Sequence, residues 1–187
     1  MRRRAAPLRA AAAALALLGL APAPAWAWGF AAHRLVNRRA VALLPDTLRP
    51  LFEGNADYVS EHAVDPDLQR EGVDDPNHFV DMDAFGAPPF SDIPHDEAAH
   101  LARHGPEARA RGRLPWRVAE VYRDLVAAFR ADDPARALQL AAELGHLVAD
   151  GHVPLHAARN YDGQLTGQQG IHVRWESAAV ERFQRQL

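Results

Sequence analysis

The chain contains no cysteine and no lysine among its 187 residues. Without cysteine, neither disulfides nor thiolate metal ligands can form, so any metal ion must bind to nitrogen and oxygen atoms. All 21 basic side chains are arginines, which we interpret as a coding bias rather than as chemistry. The chain also lacks internal repeats and runs of alternating apolar residues, which argues against a repetitive or β-rich fold.

The first 27 residues have the layout of a secretory signal peptide. Four arginines flank the start of an apolar stretch, residues 10–20, that is too short to span a bilayer as a mature helix. Small residues at Ala25 and Ala27 then predict cleavage between Ala27 and Trp28. A membrane anchor is the alternative, which the short apolar stretch disfavours. We therefore expect residues 1–27 to be a signal peptide, residues 28–187 to be one functional domain, and the product to be secreted or periplasmic.

The predicted mature chain is acidic and rich in histidine. Without residues 1–27, it has 17 basic and 24 acidic residues, a formal charge of −7. Such a surface is a poor match for a protein that binds polyanions nonspecifically. Ten histidines are present, many of them near acidic residues, and this combination suits divalent cations.

Apolar periodicity and helix breakers predict an all-α fold, a compact multi-helix domain. The expected helices are 31–44, 51–63, 93–104, one that begins at Leu114, one that begins after Asp133, and one from Ile171 to the end. Pro115 suits the first turn of its helix, and Asp133 suits an N-cap. Between residues 64 and 90 the chain is rich in Asp, Pro and Gly, so a loop with at most short ordered pieces is expected.

The stretch from His146 to His156 is the most informative in the chain. His146 and Asp150 are four residues apart, so on a helix they share a face and can hold one metal ion. A proline then breaks the helix and lets His156 turn towards a neighbouring ion. A solvated surface pair is the alternative, but the flanking Leu144, Leu147 and Val148 indicate a buried face.

His172 and Glu176 repeat this spacing after a glycine-rich loop. One such pair is weak support for a metal site. Two pairs with His156 between them are stronger, because one fold would bring five ligand-type side chains to adjacent turns. The histidines without a role in these motifs, most of them expected to be solvated, are His62, His95, His100, His104 and His152.

These motifs resemble the zinc-dependent phospholipase C and S1/P1 nuclease superfamily. The resemblance rests on HLVADGHVPLHAARNYD, followed by QQGIHVRWES, and extends upstream to WGFAAH, to Asp67 and to HFVD. It implies the fold of that family and three zinc ions. The ligands that it implies are Trp28 (through its free amine and carbonyl oxygen), His33, Asp67, His78, His146, Asp150, His156, His172 and Glu176.

The resemblance also implies how these ligands divide among the ions. One zinc ion would be held by Asp67, His78, His146 and Asp150. A second would be held by His156, His172 and Glu176. The third would take Trp28 and His33 and share Asp150, so that signal cleavage completes the site. Asp67 is also the candidate catalytic residue that orients or deprotonates water, with Asp65 as its rival.

The implied activity is hydrolysis of phosphodiester bonds by metal-activated water. A phospholipase C-like enzyme is favoured because the loop between His156 and His172 is short and the last ligand is Glu176. An S1/P1-type single-strand nuclease is the alternative, in which Phe79 and Asp81 would bind a base. A secreted zinc-binding or lipid-surface protein with an inactive site is the non-enzymatic alternative. We expect a phospholipid head group or nucleic acid as substrate, transient contact with a membrane surface, and no stable protein partner.

The chain ends at Leu187, soon after the last implied ligand, where the family usually continues with further helices. We therefore expect either a fragment or a reduced domain that lacks C-terminal helices. In both cases the core is thinner than in the family. Zinc binding would offset part of that loss, since ligands spread over the whole chain tie it together.

Overall fold

The computed structural model describes residues 29–69 and 75–186, so the predicted signal peptide lies outside the described residues. The helices in chain order are α1 (Phe30–Ala42), α2 (Arg49–Glu53), α3 (Ala56–Glu61), α4 (Asp65–Gln69), α5 (Glu97–His104), α6 (Leu114–Arg130), α7 (Pro134–Asp150), α8 (Ile171–Val173) and α9 (Val180–Phe183). A π-helix, Arg174–Ala179, joins α8 to α9. These residues form no β-strand, which confirms the all-α prediction. None of their helices has the length and apolar character needed to cross a bilayer.

The predicted helix starts are confirmed more closely than the predicted lengths. Pro115 lies in the first turn of α6, and the Asp133 carboxylate caps α7 by accepting a hydrogen bond from the Arg136 amide at 3.0 Å. The helix predicted at 51–63 is divided at Gly54 and Asn55, which both have low helix propensity, into α2 and α3. The segment predicted as loop contains α4 and several 3-10 turns.

The central helix of the core is α7. Leu140 and Leu147 pack with residues of α6, whereas Leu138 and Ala142 belong to a second apolar cluster with residues of α1, α2 and α3. Burial of each leucine contributes about 1.5–3 kcal/mol. The packing on two sides fixes the C-terminal turn of α7, where His146 and Asp150 lie.

An irregular segment, residues 75–85, is held against these helices by backbone hydrogen bonds. The Val80 amide donates to His156 O at 2.8 Å, and Val80 pairs with Gly112 in an isolated antiparallel bridge. Gly112 has a φ of +96°, and a Cβ there would lie 2.2 Å from Phe79 O. Only glycine permits this conformation and this approach. The bridge therefore fixes the backbone that carries His78.

Arg113 holds the same segment from the start of α6. Its side chain is buried, donates to Glu97 Oε1 and Oε2 at 2.8 Å each, and also pairs with Glu120. It donates further to Asn77 Oδ1 at 2.9 Å, and its amide donates to Pro76 O at 2.7 Å. The hydrogen bonds with Glu97 and Glu120 raise the pKa of Arg113, and the same contacts lower the pKa of both glutamates.

We predict that Arg113→Met lowers the free energy of unfolding by about 3 kcal/mol, because it leaves Glu97 and Glu120 without their buried partner. Both carboxyls have a folded-state pKa below the ordinary value of 4.5. Their contribution is therefore present above that pH and is lost as the pH falls through the lowered pKa. Urea unfolding should show a large difference between wild type and variant near neutral pH and a smaller one near about pH 3.

Arg109→Met is the matched control for this prediction. Arg109 also lies near Glu97, at 3.5 Å, but its side chain is exposed. Its loss should cost less than about 1 kcal/mol. Equal destabilisation by the two variants would contradict the role assigned to Arg113.

Candidate metal centre

Three groups of buried histidine and carboxylate side chains converge in the structure. The groups are His33, His146 and Asp150; Asp67, His78 and His146; and His156, His172 and Glu176. Within each group the potential ligand atoms all lie within 4.8 Å of one another. Because His146 belongs to the first two groups, these groups form one five-residue site, and the third group forms a three-residue site.

Asp150 is the central side chain of the five-residue site. Its Oδ2 lies 3.0 Å from His78 Nδ1 and 3.3 Å from His146 Nε2. Its Oδ1 lies 3.4 Å from His33 Nε2. The two oxygens therefore face different histidines, an arrangement that allows the carboxylate to bridge two ions.

Asp67, rather than its rival Asp65, faces the five-residue site. Asp67 Oδ1 lies 3.9 Å from both His78 Nδ1 and His146 Nε2, and the residue is buried. Asp65 instead pairs with His62 at 2.7 Å, and its side chain is partly exposed. Both aspartates lie in α4, where residues two positions apart point to different sides. The sequence predicted a loop here and favoured Asp67 by resemblance.

The three-residue site combines α8 with the π-helix that follows it. His172 Nε2 lies 2.8 Å from Glu176 Oε2, and His156 Nε2 lies 3.3 Å from Glu176 Oε1. The two histidines approach each other at 3.2 Å through their Nε2 atoms. Local π-helical turns are frequent at functional sites. The pair predicted from its four-residue spacing is thus brought together, although the helix is not a regular α-helix.

Backbone carbonyls determine which ring nitrogen faces each site. His146 Nδ1 lies 2.8 Å from Ala63 O, and His156 Nδ1 contacts His78 O. A carbonyl can only accept, so Nδ1 carries the hydrogen in both rings, and in the neutral form the lone pair of Nε2 points into the site. Metal-binding histidines are commonly oriented by such a contact.

Burial and charge act against each other in the five-residue site. Burial lowers the pKa of His33, and its contact with Asp150 offsets this only in part, so His33 is neutral at pH 7. Burial alone would lower the pKa of His146. The charges of Asp150 and Asp67 outweigh this effect, so the pKa of His146 is raised. Burial raises the pKa of Asp150, but the neighbouring histidines, His146 first, outweigh it and hold the pKa well below the ordinary value.

The three-residue site also contains a histidine with a raised pKa, His156. Burial lowers the pKa of His156, but the contact with Glu176 and the charge of Asp150 outweigh it and raise the pKa to about 9. In the metal-free protein His156 is therefore protonated at neutral pH. A divalent cation that binds at Nε2 must displace this proton.

Within residues 29–69 and 75–186, two buried ligand atoms of the five-residue site, His33 Nε2 and Asp150 Oδ1, lie 3.4 Å apart and form no hydrogen bond. Leaving such groups unsatisfied costs about 1–3 kcal/mol each. A cation that binds their lone pairs removes this cost, so the donor set fits metal ions that prefer nitrogen and oxygen. Eight of the nine predicted ligands thus form three buried groups that could each hold a metal ion.

The remaining predicted site residues are Trp28, Phe79 and Asp81. Trp28 falls outside the described residues. Phe79 is half-buried. Asp81 is buried, with Oδ2 3.7 Å from Arg111 Nη1. Burial raises the pKa of Asp81 although Arg111 opposes this. Neither Phe79 nor Asp81 belongs to one of the three metal groups.

Two cavities border the segment 75–85. One, of about 400 Å³, is mainly apolar and is lined by Val80, Met82, Phe90, Ile93, Pro94, His95, Pro115 and Trp116. The other, of about 260 Å³, is more polar and is lined by Ala84, Phe85, His104, Glu107, Ala108, Arg111 and Arg159. Neither is lined by Phe79 or Asp81.

The expected burial of the face with His146 and Asp150 is confirmed, although the flanking Val148 is 40% exposed. His146 is covered instead by His33 of α1, whose ring stacks on it at 3.8 Å. Periodicity within one helix could not show which neighbour covers that face. His100, one of the histidines without a motif role, is not solvated but 1% exposed, because its ring lies 4.5 Å from Phe85 and 4.6 Å from Trp116 between centroids.

We predict that zinc raises the unfolding midpoint of the mature protein and that a chelator lowers it, because metal binds the folded state only. His146→Ala should lose at least one bound equivalent of zinc per chain, since His146 belongs to two groups. Elemental analysis after dialysis measures this loss. His152→Ala is the control, because His152 lies just after α7, is exposed and contacts Val148 O. Equal metal contents in wild type and both variants would contradict the site.

No family model matches the chain, and no curated protein or solved structure matches it either. The description of the site therefore rests on the positions of its own side chains. These side chains form two adjoining buried sites that can bind metal ions.

Proposed function

We propose that this protein is an exported, zinc-dependent phosphodiesterase, a phospholipase C-like hydrolase with the fold of the phospholipase C and P1 nuclease type. The observation that carries the proposal is the five-residue site, in which one oxygen of Asp150 faces His33 and the other faces His78 and His146, so that one carboxylate can serve two neighbouring ions. A structural metal site needs only one closed set of ligands. Neighbouring sites with a shared ligand are typical of hydrolases that use two or more metal ions.

The two sites would hold separate ions. His33, Asp67, His78, His146 and Asp150 would hold metal in the five-residue site, and His156, His172 and Glu176 would do so in the three-residue site. Bound zinc supplies positive charge for the phosphate and lowers the pKa of a water molecule. The carbonyls of Ala63 and His78 keep the ring nitrogens of His146 and His156 directed inward.

Asp67 is the proposed catalytic residue. Its contacts with His78 and His146, 3.9 Å each, are longer than those of Asp150, 3.0–3.4 Å. Asp67 thus lies at the side of the five-residue site, where one oxygen can orient the attacking water and accept its proton. The carboxyl of Asp65 is turned towards His62 and does not compete for this role.

The start of the described chain supports a role for the mature N-terminus. The Gly29 amide donates to Glu176 O at 3.2 Å, and a Cβ at Gly29 would lie 2.5 Å from Ser177 Oγ. Gly29 is therefore packed tightly against the π-helix that carries Glu176. Cleavage before Trp28 would release an amine one residue from this contact, where it could serve as a further ligand.

The apolar cavity favours a substrate with an apolar part. Its lining includes Val80, two residues after His78, and Val80 is bonded through its amide to His156 O. The cavity thus begins close to ligands of both sites. A phospholipid combines a phosphodiester with apolar chains and suits this neighbourhood better than nucleic acid does. The pairing of Asp81 with Arg111 also leaves Asp81 less suited to bind a base.

The proposal is tested with zinc-loaded mature protein and three substrates: a chromogenic phosphodiester, phospholipid vesicles and single-stranded DNA. We expect turnover of the chromogenic ester and faster cleavage of phospholipid than of DNA. Faster cleavage of DNA would instead support the nuclease. Absence of turnover on all three, with zinc bound, would leave the non-enzymatic metal-binding protein.

Two aspartate variants in the same assay test the assigned roles. Asp67→Asn should reduce kcat by roughly 100-fold or more, because the amide cannot accept the proton of water. Asp65→Asn is matched in chemistry and lies two residues away in the same helix, and it should stay within about threefold of wild type. A loss with Asp65→Asn as large as that with Asp67→Asn would show that the loop carboxylate is wrongly assigned.

We predict that an added alanine before Trp28 lowers the zinc content by about one equivalent per chain, because an amide nitrogen cannot replace a free amine as ligand. Elemental analysis of the extended protein and of the protein that begins at Trp28 measures this difference. An identical zinc content and identical turnover in the two proteins would rule out the terminal amine as a ligand.

A further inference from the structure

Asn37 and Gly145 form a buried contact between α1 and α7. Asn37 is 2% exposed, and its Nδ2 donates to Ala142 O at 3.0 Å and to Val59 O at 3.2 Å. Both neighbours are carbonyl oxygens, which fixes the amide orientation because only the NH₂ end can donate to two acceptors. Neither Asn37 nor Gly145 belongs to a metal group.

Each of the two carbonyls belongs to a helical turn that holds His146. Ala142 lies four residues before His146 in α7, so in a regular α-helix its carbonyl also accepts the His146 amide. Val59 lies four residues before Ala63, whose carbonyl contacts His146 Nδ1 at 2.8 Å. Asn37 therefore connects α1 to the α7 turn that carries His146 and to the turn whose carbonyl, Ala63 O, contacts the His146 ring.

Gly145 is required by the closeness of this contact. A Cβ at position 145 would lie 2.1 Å from Asn37 Oδ1 and 2.9 Å from its Cγ, closer than side chains pack. In the interior of a helix, alanine is otherwise favoured over glycine. The glycine thus leaves room for the Asn37 side chain, which its two hydrogen bonds hold in this position between α1 and α7.

His33 depends on this approach. It lies one turn before Asn37 on α1, its ring stacks on His146 at 3.8 Å, and its Nε2 lies 3.4 Å from Asp150 Oδ1. In the part of the chain that the structure describes, neither ring nitrogen of His33 makes a hydrogen bond that would orient the ring. The ring is therefore held by its stacking on His146 and its contact with Asp150, and both depend on the separation of the two helices.

We propose that Asn37 and Gly145 act as a spacer that sets the approach of α1 to α7 and thereby holds His33 in position to share Asp150 with His146. They are positioning residues, since they do not contact the ligand atoms themselves. The spacer supports metal binding in the five-residue site and not in the three-residue site. This inference rests on the metal binding that the proposed function requires.

The steric part of the inference is tested on the metal-free protein by thermal unfolding. Gly145→Ala should lower the midpoint by about 5 °C, whereas an unobstructed glycine in a helix would give a higher midpoint on the same change. Gly86→Ala is the control, since nothing lies within 4 Å of its added Cβ. Asn37→Ala combined with Gly145→Ala should recover part of the loss, because the clash is removed. A midpoint of Gly145→Ala equal to or above that of wild type would overturn the spacer.

The selective part is tested by zinc affinity in two backgrounds, with a chromophoric chelator as competitor. His172→Ala leaves the five-residue site, and His33→Ala leaves the three-residue site. In the His172→Ala background, Gly145→Ala and Asn37→Asp, which removes the amide donors at nearly constant size, should weaken zinc binding about tenfold or more. In the His33→Ala background the same changes should alter it less than about twofold. Unchanged affinity in both backgrounds, or equal weakening in both, would overturn the assigned role.

The outcomes for the spacer and for the proposed function are distinguishable. Zinc binding without turnover of any phosphodiester would refute the proposed function and leave the spacer to be decided by the affinities. A wild-type protein that binds no zinc would refute both the proposed function and the selective role. The unfolding of metal-free Gly145→Ala would still show whether the steric contact exists.

Discussion

The negative charge of the buried Asp150 side chain has to be balanced by neighbouring groups. Its side chain is fully buried at the end of α7, and burial by itself would raise its pKa and favour the neutral form. His146, His33 and His78 hold the pKa low instead, and each comes from a different part of the chain. The carboxylate therefore ties together α1, the segment 75–85 and α7. Metal ions would satisfy the same carboxylate with more charge than protons supply, since each carries two positive charges.

The elements around Asp150 are held in different ways. Helix α7 is packed on two sides by apolar side chains. Segment 75–85 has only two short 3-10 turns of its own and depends on the Val80–Gly112 bridge and on Arg113. The start of α1 is bonded through the Gly29 amide to Glu176 O. The short elements are thus positioned by hydrogen bonds to other segments of the chain.

The histidines of these sites differ in how they are supported. His146 and His156 have a backbone carbonyl at Nδ1, which fixes the ring before any metal binds. His33 is supported by its stacking on His146 and its contact with Asp150, both across the α1–α7 interface. A ligand supported in this indirect way ties the occupancy of its ion to the packing of two helices. This difference would allow one fold to hold some ions more tightly than others.

The sequence by itself determined the class of fold and nearly all of the candidate ligands. Four-residue spacings on helices are local, so the pairs His146–Asp150 and His172–Glu176 could be read from the chain, and Asp133 and Pro115 marked helix starts in the same way. Tertiary structure alone decided the rest. Only the structure shows that Asp67 faces the site and Asp65 faces His62, because the helix that orients them was not predicted. Tertiary structure also buried His100 and exposed Val148, because burial depends on neighbours that are distant in sequence. The closeness of Asn37 to Gly145 is likewise a property of two packed helices, and no spacing within either segment encodes it.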